Sequence, residues 1–255
     1  MAKPLLERQV SLIEHLTSGA AIFGGAGGSA PGLEGIDPAL LRVEARFSYA
    51  KRMEKITAVL PRTFELLGSS RDTHVRAFVE SCPPTTLSRL ENACQFHQYL
   101  VSYWTRQAPD PPYMGDVAAF EIAWAKVDAD PEHHPSDRAT RADRAPGGGV
   151  RRCPRVILLR CAYDIRPIFE APLSTLPRMQ GRVGEGAVPV KRDAPLVVAL
   201  PPGADGPQVF EVAPALFDLL AALDDWTDPQ GLDVAPHFAK LVADLAARGL
   251  IEVRL

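Results

Sequence analysis

Residues 196–220, LVVALPPGADGPQVFEVAPALFDLL, set the architecture of the chain's second half. LVVAL (196–200) and QVFEV (208–212) are short β-branched and apolar runs. The PPGADG between them supplies the glycine and proline that a tight turn needs, so the stretch reads as a β-hairpin. Pro214 then stands at the first position of a helix, where its missing N–H costs nothing. Leu216, Phe217, Leu220 and Leu223 mark that helix's apolar face at helical spacing. After TDPQGLD, Val234, Phe238, Leu241, Val242 and Leu245 repeat the pattern as a second helix. Gly249 ends it and LIEVRL closes as a strand. Hairpin, helices and return strand within about sixty residues form a winged-helix-like α+β layout. Such modules either read DNA with the second helix or take a peptide onto the sheet edge.

The first half differs in period. Helices are expected over 4–17, 43–67, 70–81, 86–106 and 113–128. The longest lies in VEARFSYAKRMEKITAVLPRTFELLG (43–68). There Phe47, Ala50, Met53, Ile56, Leu60, Phe64 and Leu67 form one predicted apolar stripe. Pro61 bends or restarts the helix and Gly68 stops it. Residues 129–155, ADPEHHPSDRATRADRAPGGGVRRCPR, contain almost no large apolar group and read as an Arg-rich linker. VILLRC (156–161) is a buried-type strand and DIRPIFE (164–170) a second extended piece. The expected organisation is a helical domain at 1–128, the linker at 129–155 and an α+β domain at 156–255.

Charge separates the two uses of a wing. Between 205 and 255 there are nine acids and three bases, hence −6. DNA affinity draws heavily on Lys and Arg replacing phosphate counterions, which this segment cannot supply. The 43–68 stretch is the better candidate for nucleic acid. Between 46 and 62, Arg46, Lys51, Arg52, Lys55 and Arg62 face one acid, Glu54, giving +4. They do not fall on one line, so a solvated face and a protein interface stay open beside a DNA-binding regulator. Over the whole chain the net charge is −3, against a generally basic binder.

Chemistry-bearing patterns are sparse. No nucleophile elbow, zincin or phosphate-loop motif occurs, and GGAGGSAPGLEG lacks the Gly-Lys-Ser/Thr ending. Cys82 and Cys94 are 12 positions apart, and Cys153 and Cys161 are 8 apart, too far for zinc-knuckle or redox spacing. His133–His134 lies in the polar linker, and His15, His74 and His97 sit on separate predicted helices. A stand-alone enzyme using those histidines is the weakest alternative. No catalytic residue, metal ligand or cofactor is assigned to the chain. No apolar run reaches membrane-spanning length and no secretory signal opens the sequence, so the expected location is the cytoplasm.

LPRTFELLG (60–68), the preceding RFSYAKRMEKITAV, FVESCPP (78–84) and FHQYL (96–100) resemble the first half of a bacterial family labelled "putative DNA-binding domain". RVILLRCAYDIRPIFE (155–170) and the C-terminal module extend the resemblance more weakly. Members of that family resemble accessory subunits of TIM-barrel multinuclear iron oxidases, as in methanobactin-type and 3-thiaglutamate biosynthesis, where cysteine in ribosomally made peptides is modified. The resemblance implies a non-catalytic subunit in a heterodimer, with iron held by the partner and the C-terminal module acting as a precursor-peptide recognition element. The peptide would lie along Gln208, Val209, Phe210 and Glu211, with Gln208 and Phe210 supplying backbone pairing. His237, Phe238, Lys240 and Leu241 would contribute from the following helix. The partner would meet Arg46, Tyr49, Arg52, Asp164 and Arg166.

Overall fold

The computed structural model describes residues 5–24, 32–129, 149–170, 189–228 and 238–254, of which the side chains of 238 and 239 are not described. The fold is mixed α+β, helical first and then built on small antiparallel sheets. The chain forms two compact units, one ending at Ala118 and the other beginning at Ala119. The division falls inside a helix, ten residues before the expected boundary at 128.

The first unit contains α1 (Leu5–Thr17), α2 (Gly19–Phe23), α3 (Pro38–Val59), α4 (Pro61–Leu67), α5 (Arg71–Ser81), α6 (Arg89–Trp104) and the start of α7 (Met114–Asp128). α3 starts five residues before the apolar stripe suggests. Asp37 caps it, its carboxylate accepting from Ala39 N at 2.8 Å, and Pro38 takes the first helical position. At Pro61 the helix restarts as α4. Gly68 ends α4 at φ 50°, ψ −123°, a backbone conformation open to glycine alone. Ser88 caps α6 by accepting from Glu91 N.

The core of this unit is aromatic. Phe96 lies 5.2 Å from Phe64 and 5.0 Å from Phe78, and Ile56, Leu60 and Leu100 are fully buried around them. The predicted stripe is corrected at its N-terminal end, where Phe47 is 56% exposed and Ala50 is also exposed. The face that α3 buries runs through Leu41, Ala45, Arg52, Met53, Ile56 and Val59. An arginine therefore occupies a core-facing place. α1 buries no residue, and Leu5, Leu6, Val10 and Ile13 stay exposed, as do Leu40, Val43 and Phe47 of α3.

The second unit contains the rest of α7, β1 (Gly149–Arg152), β2 (Val156–Tyr163), α8 (Arg166–Glu170), β3 (Lys191–Ala199), β4 (Gln208–Glu211), α9 (Pro214–Ala222), α10 (Phe238–Ala247) and β5 (Ile251–Arg254). β2, β3 and β4 form one antiparallel sheet in that order, and β1 pairs β5 in a separate ribbon. β3 is buried from Ala194 to Ala199, as befits a central strand. Val197 and Ala199 join Val156, Leu220, Leu223, Leu245, Leu250 and Ile251 in the core under α9 and α10. α10 closes in a Schellman motif: Leu250 N donates to Leu245 O and Gly249 N to Ala246 O, each at 2.9 Å, with Gly249 at φ 68°.

Two expectations change here. Residues 149–152 of the predicted linker are strand β1, tied on one side to β5 and on the other to Thr227 through two 2.9 Å backbone bonds. Their polar side chains hid a strand whose stability comes from backbone pairing. Residues 166–170, expected extended, form helix α8, which buries Ile168.

Candidate peptide-docking edge

Within the three-stranded sheet β4 has a neighbour on one side only among the described residues. Its register with β3 is Leu196↔Glu211, Val197↔Phe210, Val198↔Val209 and Ala199↔Gln208. Val212 N donates to Pro195 O at 3.1 Å, toward β3. Backbone N–H groups alternate in direction along a strand, so Phe210 and Gln208 also face β3. Val209 and Glu211 turn their N–H and C=O groups to the open edge. This corrects the assignment of edge pairing to Gln208 and Phe210; those two hold the hairpin together.

The side chains alternate as well. Phe210 is half-buried against the core that contains Val197, and Leu241 of α10 packs on the same core. Both are anchors of the fold. Gln208 and Lys240 are exposed. Phe238 opens α10, and His237 lies outside the described residues.

An ion network borders the edge. Asp164 receives Arg166 Nε at 2.9 Å on Oδ1, and Arg166 and Arg192 terminal nitrogens at 2.8 and 2.6 Å on Oδ2. Glu211 Oε2 receives Arg192 at 3.0 Å and Arg166 at 2.6 Å, while its Oε1 takes the other Arg192 nitrogen. The Arg166 hydrogen bond, then that of Arg192, holds Asp164 far below the usual carboxylate range. Glu211 is lowered by Arg192 first. Both guanidiniums are raised in turn. Asp164 and Arg166, expected at a partner interface, thus converge with Glu211, expected at the peptide edge. Arg192 completes the set and sequence reasoning missed it. Its Lys-Arg-Asp context looks like a loop, yet it belongs to β3. A shallow depression beside the network is lined by Arg166, Asp193, Pro195, Val209, Glu211 and Pro214.

The basic residues of the first unit divide. Arg46 and Lys51 are exposed, and Tyr49 is half-buried with its ring edge-on to Phe23 at 5.4 Å. Burial raises the Tyr49 hydroxyl pKa. Arg52 is only 8% exposed and its assignment to a partner interface is corrected. Its guanidinium donates to Asn92 Oδ1, Cys82 O and Gln95 Oε1 at 3.0, 2.8 and 3.1 Å, and lies 4.5 Å from the Phe78 ring centre. Burial lowers its pKa, as desolvation does for a cation. Arg62 is buried too.

The linker arginines inside the described residues are held within the chain. Arg151 binds Glu252 at 2.7 Å, Arg152 pairs with Asp224 and donates to Leu220 O, and Arg155 donates to Val127 O at 2.6 Å in the last turn of α7. Arg138, Arg141, Arg144, His133 and His134 lie outside the described residues.

His15, His74 and His97 stand on α1, α5 and α6. Among the described residues no group of three His, Cys, Asp or Glu side chains is placed to hold a metal. None of the four cysteines is in a disulfide. No described helix is long and apolar enough to cross a membrane. The chain matches no protein-family model, and no curated protein is significantly similar to it.

Proposed function

We propose that this chain is a non-catalytic subunit that takes a ribosomally made precursor peptide as an added strand on β4 and presents its cysteine to a partner TIM-barrel multinuclear iron oxidase. The observation that carries the reading is the open margin of β4. Its outward Val209 and Glu211 groups ask for main-chain partners, and an extended peptide supplies them. The Asp164–Arg166–Arg192–Glu211 network fixes the ends of β2, β3 and β4, so the margin is rigid before the peptide arrives. The partner would meet the first unit at Arg46 and Tyr49, beside the exposed apolar residues Leu40, Val43 and Phe47. The iron and its oxygen chemistry belong to the partner in this reading, and its sequence basis is the resemblance carried by residues 46–100.

The alternative, a DNA-binding regulator, loses ground on the same side chains. Arg52 and Arg62 turn inward, and Arg151, Arg152 and Arg155 are engaged within the chain. The test is co-expression with a TIM-barrel multinuclear iron oxidase and a cysteine-containing precursor peptide. The expected results are co-purification and a mass change in the peptide that disappears when this chain is omitted. A peptide modified equally well without it would reject the proposal. Steeply salt-dependent duplex binding would establish the regulator instead.

A further inference from the structure

A groove of about 980 Å³ opens on the first unit, between the end of α4, the start of α5, and the segment from α6 to α7. That is the size of a small-molecule site. It is walled by the rings of Phe64, Tyr103 and Trp104 and lined by His74 and Gln107. His74 is 8% exposed. Tyr103 meets its ring edge-on at 4.6 Å, with an 87° interplanar angle, and Tyr99 does so at 6.5 Å. Among the described residues no hydrogen bond to the His74 imidazole is found, whereas the neighbouring Tyr103 hydroxyl is committed to Gln107 Oε1 at 2.5 Å. His74 lines the groove and makes no hydrogen bond among the described residues, so its imidazole is the hydrogen-bonding group offered to a ligand there.

The character of the ligand follows from the walls. Burial lowers the His74 pKa, so the imidazole is neutral and offers one donor and one acceptor. The lining acids Glu65 and Asp110 stand against the single cation Arg71, which gives an anion no clear welcome. Phe64, Tyr103, Trp104 and Tyr113, all lining the groove, favour a flat ring packed edge-to-face or offset. We infer that this groove binds an uncharged aromatic ring bearing one hydrogen-bonding group, a phenol or an indole, with that group on the imidazole of His74. The ring could come from a free small molecule or from a Tyr or Trp side chain of a peptide; the chemistry is shared. The site lies wholly in the first unit and stands independently of the β4 edge.

The test uses the full chain with ¹⁵N-labelled histidine near neutral pH, titrated separately with 4-methylphenol, 3-methylindole and toluene. The phenol and the indole are expected to move the His74 imidazole resonances and to bind about fivefold more tightly than toluene, the worth of one neutral hydrogen bond. His74→Gln, which keeps a donor and an acceptor, should retain the preference. His74→Phe should reduce it below about twofold. Acetyl-Gly-Tyr-Gly-amide binding more tightly than 4-methylphenol assigns the ring to a peptide, and weaker binding assigns it to a free small molecule. Unmoved His74 resonances in the wild-type chain, toluene binding as well as the phenol, or an undiminished preference in His74→Phe would each overturn the inference. The first two readouts need no variant to fold.

Discussion

Arg52 Nε donates to Asn92 Oδ1 at 3.0 Å, joining α3 to α6 through a buried guanidinium. Asn92 is itself held, donating to Thr86 O at 3.0 Å and Ser88 O at 2.7 Å. Gln95, the other side-chain acceptor, donates to Thr85 Oγ1. The arginine thus fastens two helices and the Cys82–Ser88 connection at once. Arg52→Ala removes three charge-assisted donors and strands their acceptors, with an expected loss of about 3 kcal/mol. Arg52→Lys should recover less than half, because one ammonium cannot reproduce the planar fork. Urea denaturation checks both. A loss below about 1 kcal/mol in Arg52→Ala would mean that the side chain is not structural and would reopen its role at an interface.

Asp164 and Glu211 give the second unit an acid-sensitive lock. Their folded-state pKa values lie below the ordinary ones, so their stabilisation is present above about pH 4 and fades as pH falls through and below that value. Asp164→Asn should lower stability at neutral pH and flatten its decline on acidification. Glu211→Gln should do the same more weakly, since Glu211 is the more exposed of the two. Denaturation followed at a series of pH values reads the slope, and a slope identical to wild type for both variants would refute the lock.

The outward direction of the Val209 N–H makes a position-specific test of edge pairing. Val209→Pro deletes a donor that the hairpin does not use, so folding should suffer by no more than about 1 kcal/mol. Peptide binding should fall about tenfold or more, because the added strand loses a main-chain bond and meets the proline ring. Phe210→Pro should instead damage the hairpin, since that N–H faces β3. Calorimetry with the peptide and thermal denaturation separate the two. Equal binding by wild type and Val209→Pro would place the peptide elsewhere.

Trp226 lies close to two guanidiniums, Arg151 at 4.7 Å and Arg254 at 3.9 Å from its ring, on strands that pair with each other. Trp226→Leu keeps apolar bulk and removes the π face. The expected loss is about 1–2 kcal/mol, partly recovered by Trp226→Phe. If Leu and Phe variants match in thermal stability, the ring acts by bulk alone.

The helical half was largely readable because its cores repeat at helical spacing and Pro61 and Gly68 punctuate them. The helix after Pro214 was readable for the same reason, and the hairpin from its short apolar runs and the PPGADG turn between them. Arg52 was not, since a charge inside an apolar repeat looks like solvent-facing surface until its acceptors, 30, 40 and 43 residues on, are brought beside it. β1 escaped because GVRR carries one apolar side chain, and its partner strand lies a hundred residues later. Arg192 escaped because its partners, Asp164 and Glu211, lie 28 residues before it and 19 after it. Residues 208–211 were read correctly as a strand, but which of them face away from β3 was not. Direction along a strand depends on which neighbour it pairs with, and here one bond, Val212 to Pro195, settles it.

Gly249 carries a consequence for engineering. A methyl group there would sit 2.7 Å from Pro202 Cδ and 3.7 Å from Leu200 O, at a backbone angle that already resists side chains. The tip of the β3–β4 connection therefore rests on the very residue that turns α10 into β5. Any replacement at 249 pries the two apart, so hydrogen exchange in the hairpin and in the terminal ribbon should quicken together.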